Sequence, residues 1–365
     1  MESDMPTSHN SPIYSKSFPA VDAASVQILR HAGALILGNS PTTSYYIHYH
    51  HSMIYSISIF KLTIIGILNI GKTVTTEFAA STRGGPTGNP HDTSRTPGGS
   101  SSGSGAAVAD FHVPLALGTQ TVGSVIRPSS FNGVYALKPT WNSISREGQK
   151  IYSLTLDTLG MFARSVEDLQ LLASVFELHD DVNVDKDDSY ASTESTQHAS
   201  TDDNDLKSES KFSFSNNFNN FALIKTMLWP NAGPGTEAAI DKAVHLLRTN
   251  GAKVEELELP PEFQQLPSWQ NTLMIGEGYP AFLPDYRTAM AGQLDKSIIE
   301  TVEKGRDIIS HKEFLKAYDG IASLRPIFDE ISSRFTAVLV PSAPDEAPVG
   351  LGYTGNAVFN GIWTV

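Results

Sequence analysis

The apolar positions of this chain change period several times, and each change marks a predicted element. Asp22 to His31 (DAASVQILRH) sets Val26, Ile28 and Leu29 at helical spacing, with Asp22 placed to cap the first turn and Gly33 to end it. Ala34 to Leu37 then reads as a brief buried strand, and Val113 to Leu117 as a second apolar segment. Val166 to Leu178 predicts a helix, because Leu169, Leu172, Ala173 and Phe176 recur at its period. Phe221 to Lys225 (FALIK) predicts a strand. Thr236 to Asn250 predicts a capped helix with Ile240, Val244 and Leu247 on one face and Gly251 as its stop. Lys253 to Leu259 alternates as a strand running into Pro260-Pro261. Ser268 to Asp285 and Lys296 to Arg334 look helical, and Ala337 to Val340 is an apolar strand ended by Pro341. Met1 to Ala20 is polar and punctuated by proline, so it reads as loop. Lys72 to Asp92 reads as helix and loop, broken at Gly84-Gly85-Pro86 and Asn89-Pro90.

Two stretches interrupt this pattern. Residues 39–71 are rich in Ile, Tyr, Ser and His, and Lys61 is their only charged side chain apart from histidine. Ser52 to Ile70 approaches the length of a membrane span, but Lys61 falls mid-stretch and serines and Asn69 dilute it. A β-rich insertion is a second reading. The favoured one is translated intron, because joining the chain at either Gly38 or Gly71 restores the uninterrupted run Ile-Leu-Gly-Lys-Thr. The other stretch, residues 179–211, is dominated by Asp, Glu, Ser and Thr. Between Asp180 and Ser210 it holds ten acidic residues and two lysines, which accounts for most of the chain's excess negative charge. Such a segment buries too little apolar surface to offset its ordering entropy, so a disordered surface loop is expected there.

Composition narrows the function classes. At 365 residues and 40% hydrophobic, the chain can bury a sizeable core, as two ordinary domains or one large one. A net charge of −13 argues against a nucleic-acid partner, whose binding surface is normally basic. The absence of cysteine removes disulfides, thiolate metal sites and a cysteine nucleophile. His48, His50 and His51 cluster without accompanying carboxylates, so no metal is expected there. Residues 1–12 have no apolar signal-peptide core, and the chain has no Asn-x-Ser/Thr sequon, so a cytoplasmic protein is expected.

The chemistry concentrates between Arg95 and Thr140. A Gly/Ser run, Gly98 to Gly105, passes into Ala106 to Ala109, and a second Gly/Ser turn, Thr119 to Ser124, is closed by Arg127-Pro128. The first run has no lysine for a phosphate-binding loop. Gly103-Ser104-Gly105 leads into Ala106, Ala107 and Val108 rather than a dinucleotide fingerprint. A flexible linker would not run into a helix start and an apolar segment. Glycine lets backbone approach a ligand and turns N–H groups toward an anion. Serine attacks a carbonyl once a base removes its proton. Two such turns suggest two loops that meet in space to form an acyl-transfer site.

GGSSSGSGAAVA, LGTQTVGSVIRP and LKPT, in that order, closely resemble the motif of the amidase signature family of serine hydrolases. The resemblance extends to Lys72-Thr73, Glu77-Phe78-Ala79, Leu156-Asp157, Ala163-Arg164-Ser165, Pro341 to Pro344 and Trp363-Thr364. It implies an α/β fold, a mixed central sheet flanked by helices, and one amidase-like domain over residues 1–365. It also implies hydrolysis of a linear carboxamide C–N bond through an acyl-enzyme, with no cofactor or metal. Ser124 would be the nucleophile and Ser100, preceded by a cis peptide, the bridging serine. The N–H groups of Thr121, Val122, Gly123 and Ser124 would form the oxyanion hole, with Ser101 and Arg127 in support. Gln120 and Val122 stand where many members have Asp and Gly. The family's base is a lysine in a Lys-Asp motif ahead of an Asp-x-Pro-Thr stretch. Asp4-Met5-Pro6-Thr7 matches the latter with no Lys-Asp before it, so the chain is expected to lack its base and to be truncated at both ends. An inactive amidase-like polypeptide and an A-type amidotransferase subunit are the alternatives. The expected partners are a small-molecule amide and a second copy of the chain as a homodimer, with no membrane.

Overall fold

The computed structural model describes residues 6–37, 68–70, 72–178, 219–308 and 311–365. Helix α1 (Ala24–His31) begins just after the predicted cap. Ala23 holds the N-cap position, and the Asp22 carboxylate pairs with Arg30 at 3.2 Å. Val26 and Leu29 are buried as their spacing predicts, whereas Ile28 lies on the solvent side. Strand β1 (Leu35–Leu37) runs parallel to β2 (Leu68–Ile70), with Leu35 opposite Leu68. The remainder of residues 39–71, with His48, His50 and His51, and all of 179–211 lie outside the described residues.

The Gly/Ser region builds the layer that carries the site. Helix α2 (Ser102–Ala109), β3 (Leu115–Gln120), α3 (Ile126–Asn132), β4 (Tyr135–Leu137), β5 (Thr158–Ala163) and α4 (Val166–Val175) follow in order. The three strands form an antiparallel sheet with β5 in the middle, pairing Gln120 with Thr158 and Leu137 with Met161. Side chains of β5 alternate between two cores, as a pleated strand requires. Leu159 and Met161 pack with Leu29, Leu115 and Leu172 on one face. Phe162 packs with Val108, Val113 and Val125 on the other. Burying each such side chain contributes roughly 1.5–3 kcal/mol. Ser165 accepts the N–H of Asp168 at 3.1 Å and caps α4.

A second layer is wound differently. Strands β6 (Asn220–Ile224), β7 (Lys253–Leu257) and β8 (Ala337–Leu339) form a parallel sheet in the order β7-β6-β8. Helix α5 (Pro234–Thr249) covers it through Ile240 and Val244 against Leu223. Its N-terminus is supplied from a distant loop, where Asp345 Oδ1 accepts the N–H of Gly235 at 3.0 Å. The predicted helical stretch 296–334 is two helices, α7 (Lys296–Ile308) and α8 (His311–Ser332), both packed on α6 (Leu266–Thr288). The fold is α/β as expected, and its parallel and antiparallel ladders fall in three short sheets among the described residues.

A charged cluster ties the N-terminal segment to α6. Asp285, 2% exposed, accepts Tyr14 Oη at 2.6 Å on one carboxylate oxygen and Lys150 Nζ at 2.7 Å on the other. Lys150 Nζ also sits 4.5 Å from the centre of the Phe78 ring. His9 packs edge-on against Tyr14, with ring centres 5.3 Å apart. The Asp285 hydrogen bond, helped by burial, pushes the Tyr14 phenol up to about 12. Burial, with Lys150 nearby, pulls His9 down to about 4.

Candidate active site

The two Gly/Ser turns lie against each other. The N–H of Ser101 donates to the Ser124 carbonyl at 3.3 Å, and Arg127 Nη2 donates to the Gly99 carbonyl at 2.5 Å. Gly98 has φ +83°, and a Cβ there would lie 2.8 Å from Pro128 Cα, so only glycine lets the turns close this far. The Gly99-Ser100 peptide is cis. Ser101 Oγ reaches the Thr119 carbonyl at 3.4 Å, while Ser102 Oγ donates to the Gly98 carbonyl at 2.8 Å.

The two candidate serines occupy different surroundings. Ser124 is half-buried at the tip of the second turn. Ser100 is 3% exposed, and its Oγ has no hydrogen-bond partner among the described residues. An unpaired buried hydroxyl costs about 1–3 kcal/mol, which makes it unusual enough to require a reason. Arg127 is also buried. Its Nε has no partner, no carboxylate among the described residues pairs with it, and burial lowers its pKa to about 10.

The backbone between Thr121 and Ser124 leaves its donors open. None of the N–H groups of Thr121, Val122, Gly123 and Ser124 meets an acceptor among the described residues. Side chains hold the turn from its flanks. Gln120 Oε1 accepts the N–H groups of Val125 and Ile126 at 2.9 and 3.0 Å, capping α3 from five residues upstream. Thr121 Oγ1 donates to Asp157 Oδ1 at 2.6 Å, and Asp157 Oδ2 accepts the N–H groups of Tyr152 and Ser153. Burial raises the Asp157 carboxyl, and these hydrogen bonds, Thr121 first, offset part of that shift. Thr364 Oγ1 lies 2.9 Å from the Val122 carbonyl oxygen. A Cβ at Gly123 would come within 2.4 Å of Asn360 Oδ1, so glycine is required there as well.

Asp157, Asn360 and Thr364 were not singled out for roles by sequence reasoning, although Leu156-Asp157 and Trp363-Thr364 were among the matching motifs. Among the described residues no cluster of three His, Asp or Glu side chains could hold a metal ion. No described helix is long and apolar enough to cross a membrane.

Comparisons with known proteins place the chain in a family and a fold. The A-type subunit of the glutamyl-tRNA(Gln) amidotransferase of Carboxydothermus hydrogenoformans is 37% identical over 212 residues, which is 57% of this chain and 41% of that protein. Its Symbiobacterium thermophilum counterpart is 30% identical over 311 residues, 78% of this chain and 61% of its own length. The chain thus spans about half the length of the curated relatives it matches. Among solved structures, one from a vestigial complex related to the origins of an s-triazine catabolic enzyme superposes with a TM-score of 0.69 at 25% identity, covering 95% of this chain and 66% of that one. The Thermotoga maritima A-type amidotransferase subunit gives 0.67 at 24% identity, over 100% of this chain and 72% of its own, which shows the shared fold. The Amidase family profile matches residues 2–350, nearly the whole chain, and with the paired Gly/Ser turns in place the chain belongs to the amidase family.

Proposed function

We propose that this chain cleaves a carboxamide C–N bond with Ser124 as nucleophile. Ser124 Oγ attacks the carbonyl carbon, and its proton passes to Ser100; in the family's pattern a lysine, for which this sequence offers no match, then takes it as base. The carbonyl oxygen becomes an oxyanion, met by the open N–H groups of the Thr121–Ser124 turn. The C–N bond then breaks, the leaving nitrogen takes the relayed proton, and water hydrolyses the acyl-enzyme by the same relay in reverse. The observation carrying this reading is the juxtaposition of the two turns, with four unpaired N–H groups on one and a buried, unpaired hydroxyl on the other. The resemblance implies a lysine against Ser100 Oγ, and no such partner is present among the described residues.

The unpartnered Ser100 Oγ also favours a second reading, an amidase-like polypeptide that does not turn over as it stands. The similarity to A-type amidotransferase subunits favours a third, ammonia release in a complex with partner subunits. Labelling with a fluorophosphonate, followed by mass spectrometry of the peptide holding Ser124, separates them. Wild-type chain is expected to label at Ser124, Ser124→Ala not at all, and Ser100→Ala about 10²–10⁴-fold more slowly. An unlabelled wild type selects the second reading, and ammonia release only alongside co-purifying subunits selects the third. Label retained in Ser124→Ala would overturn the nucleophile assignment.

A further inference from the structure

We infer that Thr364 is a positioning residue for the oxyanion hole, acting through the Val122–Gly123 peptide. The inference rests on the serine-hydrolase reading for its function and on the geometry for its form. A peptide unit is planar, so its C=O and N–H point to opposite edges. Fixing one edge therefore aims the other. The Val122 carbonyl lies 2.9 Å from Thr364 Oγ1, and the N–H on the far edge of that plane belongs to Gly123. The next peptide is fixed in the same manner, since the Gly123 carbonyl accepts the N–H of Arg127 at 2.9 Å, leaving the Ser124 N–H on the opposite edge. Neither N–H has an acceptor of its own among the described residues. The second anchor is the first turn of α3, local in sequence. The first comes from 242 residues away.

The surroundings make Thr364 a rigid anchor. It is 4% exposed, and its Oγ1 also lies 3.2 Å from the Asn360 carbonyl one turn back, a local contact that competes for the same proton. Asn360 Nδ2 donates to the Ser342 carbonyl at 3.1 Å, which holds the segment against the end of β8. Gly361 completes the seat. A Cβ there would stand 3.4 Å from Val122 Cγ1 and 3.3 Å from Gln270 Oε1, so the Val122 side chain of the nucleophile turn lies against this segment. Val122 stands where many members carry glycine, and a side chain at that place gives the turn an apolar contact to work against.

The test uses Thr364→Val, which keeps the shape and removes the donor, and Thr364→Ser, which restores it. Thr364→Val is expected to label with fluorophosphonate and hydrolyse amide about tenfold to a hundredfold more slowly, with the loss in kcat rather than KM. Thr364→Ser is expected to return most of the rate at unchanged thermal stability. Crystal structures of wild type and Thr364→Val read the Val122–Gly123 plane directly, and a rotated plane is expected in the variant. An unrotated plane, or a wild-type rate in Thr364→Val, overturns the inference. A wild type that never labels would instead sink the serine-hydrolase reading, and the two crystal structures would still decide whether Thr364 sets the plane.

Discussion

Two buried polar regions of this molecule follow opposite rules. Asp285 itself is fully engaged, with Tyr14 on one carboxylate oxygen and Lys150 on the other. Around Ser124 the pairing is withheld, because Ser100 Oγ, Arg127 Nε, Asn360 Oδ1 and the N–H groups of Thr121–Ser124 all lack partners among the described residues. A low-dielectric interior makes a complete network rigid and an incomplete one costly. The complete network joins the N-terminal segment to α6 and holds the fold. In the incomplete one, on the proposed reading, stability is given up for atoms that a substrate would meet.

This contrast predicts that substitutions in the first region change stability and leave chemistry alone. The largest effect is expected for Asp285→Leu, which strands Lys150 and should cost about 3–5 kcal/mol in urea unfolding. Below the transition, its rate of labelling at Ser124 should match wild type, and a variant that unfolds normally yet fails to label would break the contrast. A smaller effect concerns pH. His9 is neutral in the fold, with its pKa lowered from 6.5 to about 4, while the unfolded chain takes up a proton near 6.5. Between those values the unfolded state binds more protons, so stability falls on acidification by on the order of 2–3 kcal/mol. Unfolding free energies at pH 7 and pH 4.5 should therefore differ by less in His9→Gln than in wild type, and equal differences would remove His9 from the account.

The smallest effect sharpens the contrast within the second region. Gln120 is engaged there through its carbonyl oxygen, and Gln120→Ala frees the N–H groups of Val125 and Ile126. It should cost about 1–2 kcal/mol, as the loss of a helix cap does, read as a shift in the urea midpoint. A neutral result would show that water caps α3 equally well.

These regions also differ in how far they could be read from the chain. The Gly/Ser turns, the buried face of α1, the α5 periodicity and the strand at Phe221 are local, since the spacing of apolar residues and the glycine content set them without reference to partners. Strand β5 was not legible by alternation. Its six residues are buried on both faces, so its pattern carries no period to detect. The predicted cap at Asp22 is a related case, because the N-cap position falls one residue later, on Ala23, and the Asp22 carboxylate pairs with Arg30.

What the sequence determined by itself is the chemistry at stake: two glycine-serine turns, their order, and the family whose motif they carry. What only the tertiary structure decided is how the second turn is aimed. Gln120, Asp157, Asn360 and Thr364 approach it from as far as 242 residues away in the chain. No sequence pattern records these contacts, because hydrogen bonds between distant segments depend on distance and angle after folding rather than on spacing before it.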